Sequence, residues 1–399
     1  MSASRVTDVN ETAGEILELV RTGRAATRSD LRRVTGMSRT AVVTRVDALL
    51  RAGLLVPGRE EASAGGRPPG TLVFHAAAGA VLAVAVGRSR TQLAVLDLAG
   101  TELACSEAEH EVGAGPDAVM PRVVAGLRDL LAEVGAGDPP GARAVYGVGL
   151  SLPGSIDPVR GVSVDSPVVA GWDGVDLAPR LAEVTSAPLW VGNDADVLAL
   201  SELLGHARDH TDLLVLKAST GLGLGIVAGG EVQRGHLGGA GEIGHTLVEP
   251  VDGLPCRCGA RGCLETVAGG WALVAERAAR GRGVDHVREL VALAVAGEAE
   301  ARGMLRDSGR RLGEVLAVAV NLLNPSAVVV GGDMAGAYDT YVAGLRESVY
   351  ARATALATRD LRFLPATHGD RAGVVGCGAM ALDGALAPAA VDRRLEDAR

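Results

Sequence analysis

Residues Glu242–Glu265 read EIGHTLVEPVDGLPCRCGARGCLE, and the placing of His245, Cys256, Cys258 and Cys263 in that stretch decides how the chain is read. One imidazole and three thiols form a full tetrahedral donor set for Zn2+, and a closed set of this kind marks a structural site rather than a hydrolytic one. Gly259 and Gly262, between the last two cysteines, suit a loop tight enough to fold around one ion. Glu242 and Glu265 flank the cluster, so a metal knuckle would fix two carboxylates and the edge of one histidine in space. The alternative is a group of reduced thiols that happen to lie close together.

Around that stretch, 399 residues give room for roughly two to three domains. The remaining cysteines, Cys105 and Cys377, lie far apart among apolar or small residues and are expected to be buried free thiols rather than a disulfide. That usage fits a reducing cytoplasm. Asp8 and Glu11 stand where a secretory signal would have an apolar core, and apolar runs such as Val315 to Val320 are short of a membrane span of about 20 residues. Neither export nor a membrane partner is expected. Charge is uneven: residues 1–75 carry 11 Arg against 8 Asp and Glu, whereas the whole chain carries a net charge of −9. An acidic body with a basic head confines any nucleic-acid contact to the head. Lys217 is the sole lysine.

The head has helical period from about Glu11, with Ile16, Leu17, Leu19 and Val20 as an apolar stripe ending near Gly23. A second helix is expected over Arg28–Val34. Thr35-Gly36-Met37-Ser38 then supplies a short turn, and Ser38 a good N-cap. The third helix, Arg39–Ala52, points Val42, Val43, Val46, Leu49 and Leu50 to a core and leaves Arg39, Thr40, Thr44 and Arg45 polar. In a helix-turn-helix the start of this second partner enters the major groove, which makes Ser38, Arg39, Thr40, Thr44 and Arg45 the candidate DNA contacts. Leu54-Leu55-Val56 and Thr71-Leu72-Val73-Phe74 read as a hairpin wing. Arg67, between Gly66 and Pro68 in its loop, suits a narrow minor groove. The competing reading of the head is a small helical interaction module that touches no DNA.

Beyond residue 75, short β runs alternate with helical stretches, the pattern of an α/β fold. Val81–Gly100, VLAVAVGRSRTQLAVLDLAG, is strand, glycine turn, strand; Leu213–Gly230, LLVLKASTGLGLGIVAGG, repeats the plan. Duplication of this unit suggests two related lobes facing a cleft. Glycine turns there could bring backbone N–H groups close to phosphates, although such turns alone are most often ordinary hairpins.

The zinc-type cluster, Asn193-Asp194 upstream and the two hairpins together resemble the ROK family of repressors, open reading frames and sugar kinases, from about residue 78 to the end; the winged head resembles its repressor branch. The resemblance implies a two-lobed actin/hexokinase-like, ribonuclease-H-type fold. It implies three units: a DNA-binding head at 1–75, a first lobe of 78–190 plus 378–399, and a second lobe at 191–377 holding the knuckle and sugar site. It also implies roles. Asp194 matches the kinase general base, with Asn193 beside it on the sugar. Glu242, His245 and Glu265 match sugar ligands, one nitrogen of His245 facing zinc and the other the sugar. Gly154, on the Ser151–Gly154 loop, lines the same pocket. Carboxylates and amides suit paired hydrogen bonds to hydroxyls, and an imidazole locked by zinc cannot swing away.

Departures from the family pattern separate regulator from kinase. The first phosphate loop of the kinases reads Asp-x-Gly-Gly-Thr, whereas this chain has Ala85-Val86-Gly87-Arg88-Ser89. Phosphoryl transfer relies on positioning and charge stabilisation, so loss of that carboxylate is severe, and ATP with Mg2+ is not expected as a cofactor. Thr220-Gly221-Leu222-Gly223 and Gly331-Gly332 keep the family pattern. The expectation is a cytoplasmic, sugar-responsive transcriptional regulator, acting as a repressor at an inverted-repeat operator and assembling as a homodimer or homotetramer. The alternative is a working hexose or amino-sugar kinase with an appended DNA-binding domain; a third reading is a regulator whose body docks another protein over a vestigial sugar site.

Overall fold

A computed structural model describes residues 12–58, 70–136, 143–157, 160–164, 171–248 and 253–397. In the head, Thr12 caps the helix Ala13–Arg21 and Thr27 caps Arg28–Thr35, each through a reciprocal capping box with Glu15 or Asp30. Gly36 ends the second helix at φ 71°, a left-handed conformation that favours glycine and turns the chain sharply. Ser38 then caps the third helix, Arg39–Arg51, by accepting the N–H of Ala41 at 3.2 Å. Ala52, expected inside that helix, is its C-cap. Val42, Val46 and Leu49 are fully buried, while Val43 and Leu50 are only half-buried at the margin of that face. The strands Leu55–Pro57 and Leu72–Phe74 pair antiparallel as the wing. The wing loop with Arg67 lies outside the described residues.

The body contains two five-stranded sheets built to one plan. In the first lobe, Glu102–Glu109, Arg90–Asp97 and Gly79–Val86 run antiparallel, and Ala144–Leu152 and Leu189–Asn193 add in parallel. In the second, Glu231–Val232, Leu222–Ala228 and Leu213–Ala218 are antiparallel, and Ala327–Gly331 and Arg362–Pro365 add in parallel. Matching strand order and direction make this the duplicated, two-lobed fold expected. The inner parallel strands are covered on both faces, hence the unbroken valines Val328, Val329 and Val330, each 0% exposed. The helix Asp194–Glu202 packs on both the strand Leu222–Ala228 and the helix Ala372–Ala385, which in turn lies on the first-lobe strands Gly79–Val86 and Ala144–Leu152.

One core runs through head and body. Ile16, Leu17 and Val20 of the first helix cluster with Val81 and Ala83 of the first lobe and with Leu386 and Val391 at the C-terminus. Buried side chains of this size contribute about 1.5–3 kcal/mol each, so the head is packed against the body rather than tethered to it. The helix Pro388–Asp397 is the bridging element: Asp392 accepts the N–H of Gly14 at 3.0 Å, and Arg394 stacks 3.5 Å above the ring of Tyr146. Cys377 is buried as expected and reaches the carbonyl of Val84 at 3.3 Å. Cys105 is exposed, contrary to expectation: it lies on the edge strand Glu102–Glu109, whose alternation turns Ala104 inward and Cys105 outward. No single described helix is long and apolar enough to cross a membrane.

Candidate functional site

On the head, the first turn of the helix Arg39–Arg51 stands clear of the core. Ser38, Arg39, Thr40 and Thr44 are exposed and Arg45 is half-buried. Thr44 bonds back to the carbonyl of Thr40 at 3.0 Å, and Arg45 lies along the helix with Nη1 3.4 Å from the carbonyl of Ala41. These side chains form one polar face on the exposed side of the helix.

The four donor atoms of His245, Cys256, Cys258 and Cys263 lie within 4.8 Å of one another. His245 Nδ1 is 3.6 Å from Cys256 Sγ, and Cys258 Sγ is 3.6 Å from Cys263 Sγ. A tetrahedral ion with metal–sulfur bonds of ~2.3 Å separates its sulfurs by about 3.8 Å, so the cluster fits one metal ion. Isolated bridges Leu247↔Cys263 and Pro255↔Arg261 fold the knuckle back on itself.

Beside the cluster, Gly154, Asn193, Asp194, Glu242, His245 and Glu265 all line one cavity between the lobes. The structure thus brings together the residues assigned to sugar binding. Their side chains are already engaged. Asn193 is a working N-cap, its Oδ1 accepting the N–H of Ala195 at 2.7 Å and of Asp196 at 3.2 Å, while Nδ2 donates to the carbonyl of Gly154 at 2.8 Å. Ser155 donates to Glu242 across the cleft at 2.9 Å. Glu265, 3% exposed, accepts from Leu222 N at 3.0 Å and from Trp271 Nε1 at 2.9 Å, so it also fixes the second glycine loop. Carboxylate oxygens retain lone pairs after one such bond, and a ligand hydroxyl would meet acceptors already aimed by the protein.

A second cavity adjoins the first, and Asp194, Lys217 and Gly221 line both. Lys217 Nζ is 2.8 Å from Asp194 Oδ2, so the carboxylate assigned to proton abstraction is engaged in an ion pair. Arg88 enters this cavity from the first loop, and burial, then the charge of Arg257, push its guanidinium down to about 10. His286 joins the loops: its Nδ1 caps Arg288 N, which leaves Nε2 for Ser89 Oγ and Thr220 Oγ1, both at 3.3 Å. Deeper, Asp196 is 5% exposed, and burial, outweighing Arg234, raises its carboxyl to about 7 with help from Asp194 and Glu242.

Several of these partners were not singled out from sequence. Lys217 stood out only as the sole lysine, set in an apolar strand, which is itself a signal of a paired charge. Arg257, between Cys256 and Cys258 in sequence, is stacked 4.6 Å over Trp271, and its charge acts on Arg88. Ser155 and His286 carry no local signature.

A family model described as the ROK family matches residues 81–384. The chain is similar to the xylose repressor of Bacillus subtilis (strain 168), 25% identical over 357 residues covering 89% of this chain and 91% of the relative. It is 30% identical over 312 residues to the DNA-binding transcriptional dual regulator NagC of Escherichia coli (strain K12), covering 74% and 73% of the two chains. Among solved structures it is similar to a ROK family transcriptional regulator described as a homolog of the E. coli MLC protein. That likeness has TM-score 0.78 and 24% identity, covers 96% of this chain and 98% of the other, and concerns the fold of head and body together. With the duplicated sheets, the cysteine knuckle and the interlobe pocket all inside the matched span, the chain belongs to the ROK family.

Proposed function

We propose that the protein is a sugar-responsive transcriptional regulator, acting as a repressor of carbohydrate-metabolism genes. One observation carries the reading: a head with an exposed recognition helix shares a single core with a body whose interlobe pocket gathers Asn193, Asp194, Glu242, His245 and Glu265. A pocket of acceptors suits a polyhydroxylated ligand, and the shared core gives its closure a path to the head. The repressors similar to this chain over head and body support the same reading.

In finer detail, His245, Cys256, Cys258 and Cys263 hold a structural Zn2+ that orients His245 toward the sugar. Ser38, Arg39, Thr40, Thr44 and Arg45 contact the operator, with Arg67 in the minor groove. One winged helix covers one half-site, so the working form is a cytoplasmic homodimer or homotetramer whose recognition helices lie about 34–36 Å apart, or a multiple, on an inverted repeat. Catalytic phosphoryl transfer is not favoured, because Ala85 removes a carboxylate and Lys217 engages Asp194. Two experiments test the reading. Selection from random duplexes should enrich an inverted repeat, and a thermal-shift panel of sugars should find one that stabilises the protein by mass action. No enriched sequence, or no sugar that stabilises, contradicts it.

A further inference from the structure

The cleft beside the sugar pocket has lost one negative charge and gained a positive one relative to the kinase pattern, through Ala85 and Arg88. Within it, Arg88 Nε and Nη1 are shut off from solvent and find no hydrogen-bond partner among the described residues. The other Lys and Arg side chains lining this cavity each have a carboxylate within 4 Å: Lys217 has Asp194 at 2.8 Å, Arg288 has Glu109 at 3.1 Å, and Arg90 has Glu107 at 3.5 Å, whereas Arg88 feels Glu265 and Asp194 only as nearby charges, against that of Arg257. A buried guanidinium with idle donors is costly, and its planar fork matches a phosphate or carboxylate. Hydroxyl donors stand near it on both loops, Ser89 and Thr220, held by His286.

Geometry also fixes where an anion would be attached. Asp194, Lys217 and Gly221 are shared walls of the two cavities, so a substituent on the sugar hydroxyl facing Asp194 projects into the cleft that Arg88 enters. With Asp194 already paired to Lys217, that wall does not repel a negative group.

We propose that the effector is a phosphorylated sugar, its ring among Asn193, Glu242 and Glu265 and its phosphate seated between Arg88 and Lys217 without a metal ion. This rests on the sugar-effector reading above. The cleft thereby reads the product of a sugar-phosphorylating reaction rather than performing one.

The test is calorimetric titration of the full chain in Mg2+-free buffer with glucose, N-acetylglucosamine, glucose 6-phosphate, N-acetylglucosamine 6-phosphate, inorganic phosphate and ATP. Wild type should bind one sugar phosphate about tenfold or more tighter than its neutral parent, the scale of a charge-assisted contact. Arg88→Gly and Arg88→Gln should abolish that preference while leaving affinity for the parent sugar within about twofold, and Arg88→Lys should retain part of it. Neutral sugars bound as tightly as their phosphates, or a preference that survives Arg88→Gly, overturn this proposal and leave the sugar-effector reading standing. ATP or inorganic phosphate bound as tightly as the sugar phosphates overturns it by assigning the seat to another anion. No binding by any sugar, in either form, removes the effector reading and the proposal together.

Discussion

Gly14→Ala should loosen the DNA-reading head from the body. Gly14 lies in the helix Ala13–Arg21, and a Cβ there would sit 2.2 Å from the carbonyl oxygen of Pro388 and 2.5 Å from its Cα. Both are backbone atoms, so no rotamer relieves the clash. Alanine is the better helix former by up to ~1 kcal/mol, but overpacking costs about 1–3 kcal/mol. Separation of the helices also stretches the Gly14 N–H···Asp392 bond, now 3.0 Å. Bonds to charged groups are worth about 1.5–3 kcal/mol, so the clash with loss of that bond outweighs the helix gain by about 1.5–5 kcal/mol. The assay is equilibrium urea unfolding, paired with operator titration in the presence and absence of effector. The variant should be less stable by that amount and its operator affinity less responsive to effector, with effector affinity itself preserved. Gly303→Ala is the control: it lies in the helix Ala299–Leu323 with nothing within 4 Å of a new Cβ, and should stabilise by roughly 0.5–1 kcal/mol. A Gly14→Ala protein as stable and as responsive as wild type would refute the argument that the C-terminal helix locks head to body.

Other consequences are equally direct. Asp196, raised to about 7, keeps a proton in the folded state that the unfolded chain releases near its ordinary value of 3.8. Its contribution therefore favours folding at low pH, declines as pH rises between those values and is level above them, on the order of 4 kcal/mol in all. Asp196→Asn should flatten that part of the stability–pH curve and raise stability at pH 8; an unchanged curve counts against a buried proton there. Metal analysis should find one zinc per chain, and Cys258→Ser should lose both the metal and sugar affinity; metal-free wild type that binds sugar normally would contradict the knuckle's role. Arg39→Ala or Arg45→Ala should weaken operator binding by ~1–3 kcal/mol and relax sequence preference if the side chain makes a bidentate base contact. Equal binding to operator and scrambled DNA by wild type would remove the premise.

What could be read from sequence was local. Caps at Thr12, Thr27 and Ser38, the glycine at Gly36 and the apolar stripes of the head lie within a few residues of what they determine. The cysteine knuckle and the repeated strand–turn–strand units are local too, and they carried the fold with them. Contacts made by the tertiary fold were not legible. The pairing of Lys217 with Asp194 joins a strand to a helix start, His286 joins two loops from different lobes, and Gly14 meets Pro388 from opposite ends of the chain. Cys105 is exposed despite small neighbours that resemble a core strand, because an edge strand turns alternate residues outward. Asn193 shows two uses of one side chain: the cap that sequence offers as the plain explanation coexists with a place on the pocket wall.

The measurement that bears most directly on the central claim is the operator affinity of the full chain with and without saturating effector, followed by fluorescence anisotropy on the selected inverted repeat. Coupling between sites typically amounts to about 1–3 kcal/mol, so the account predicts a change in Kd of roughly fivefold or more, with effector affinity changed reciprocally by bound DNA. A ligand with equal affinity for both states shifts nothing. Unchanged operator affinity, with effector shown by titration to occupy the cleft, would contradict a sugar-responsive regulator.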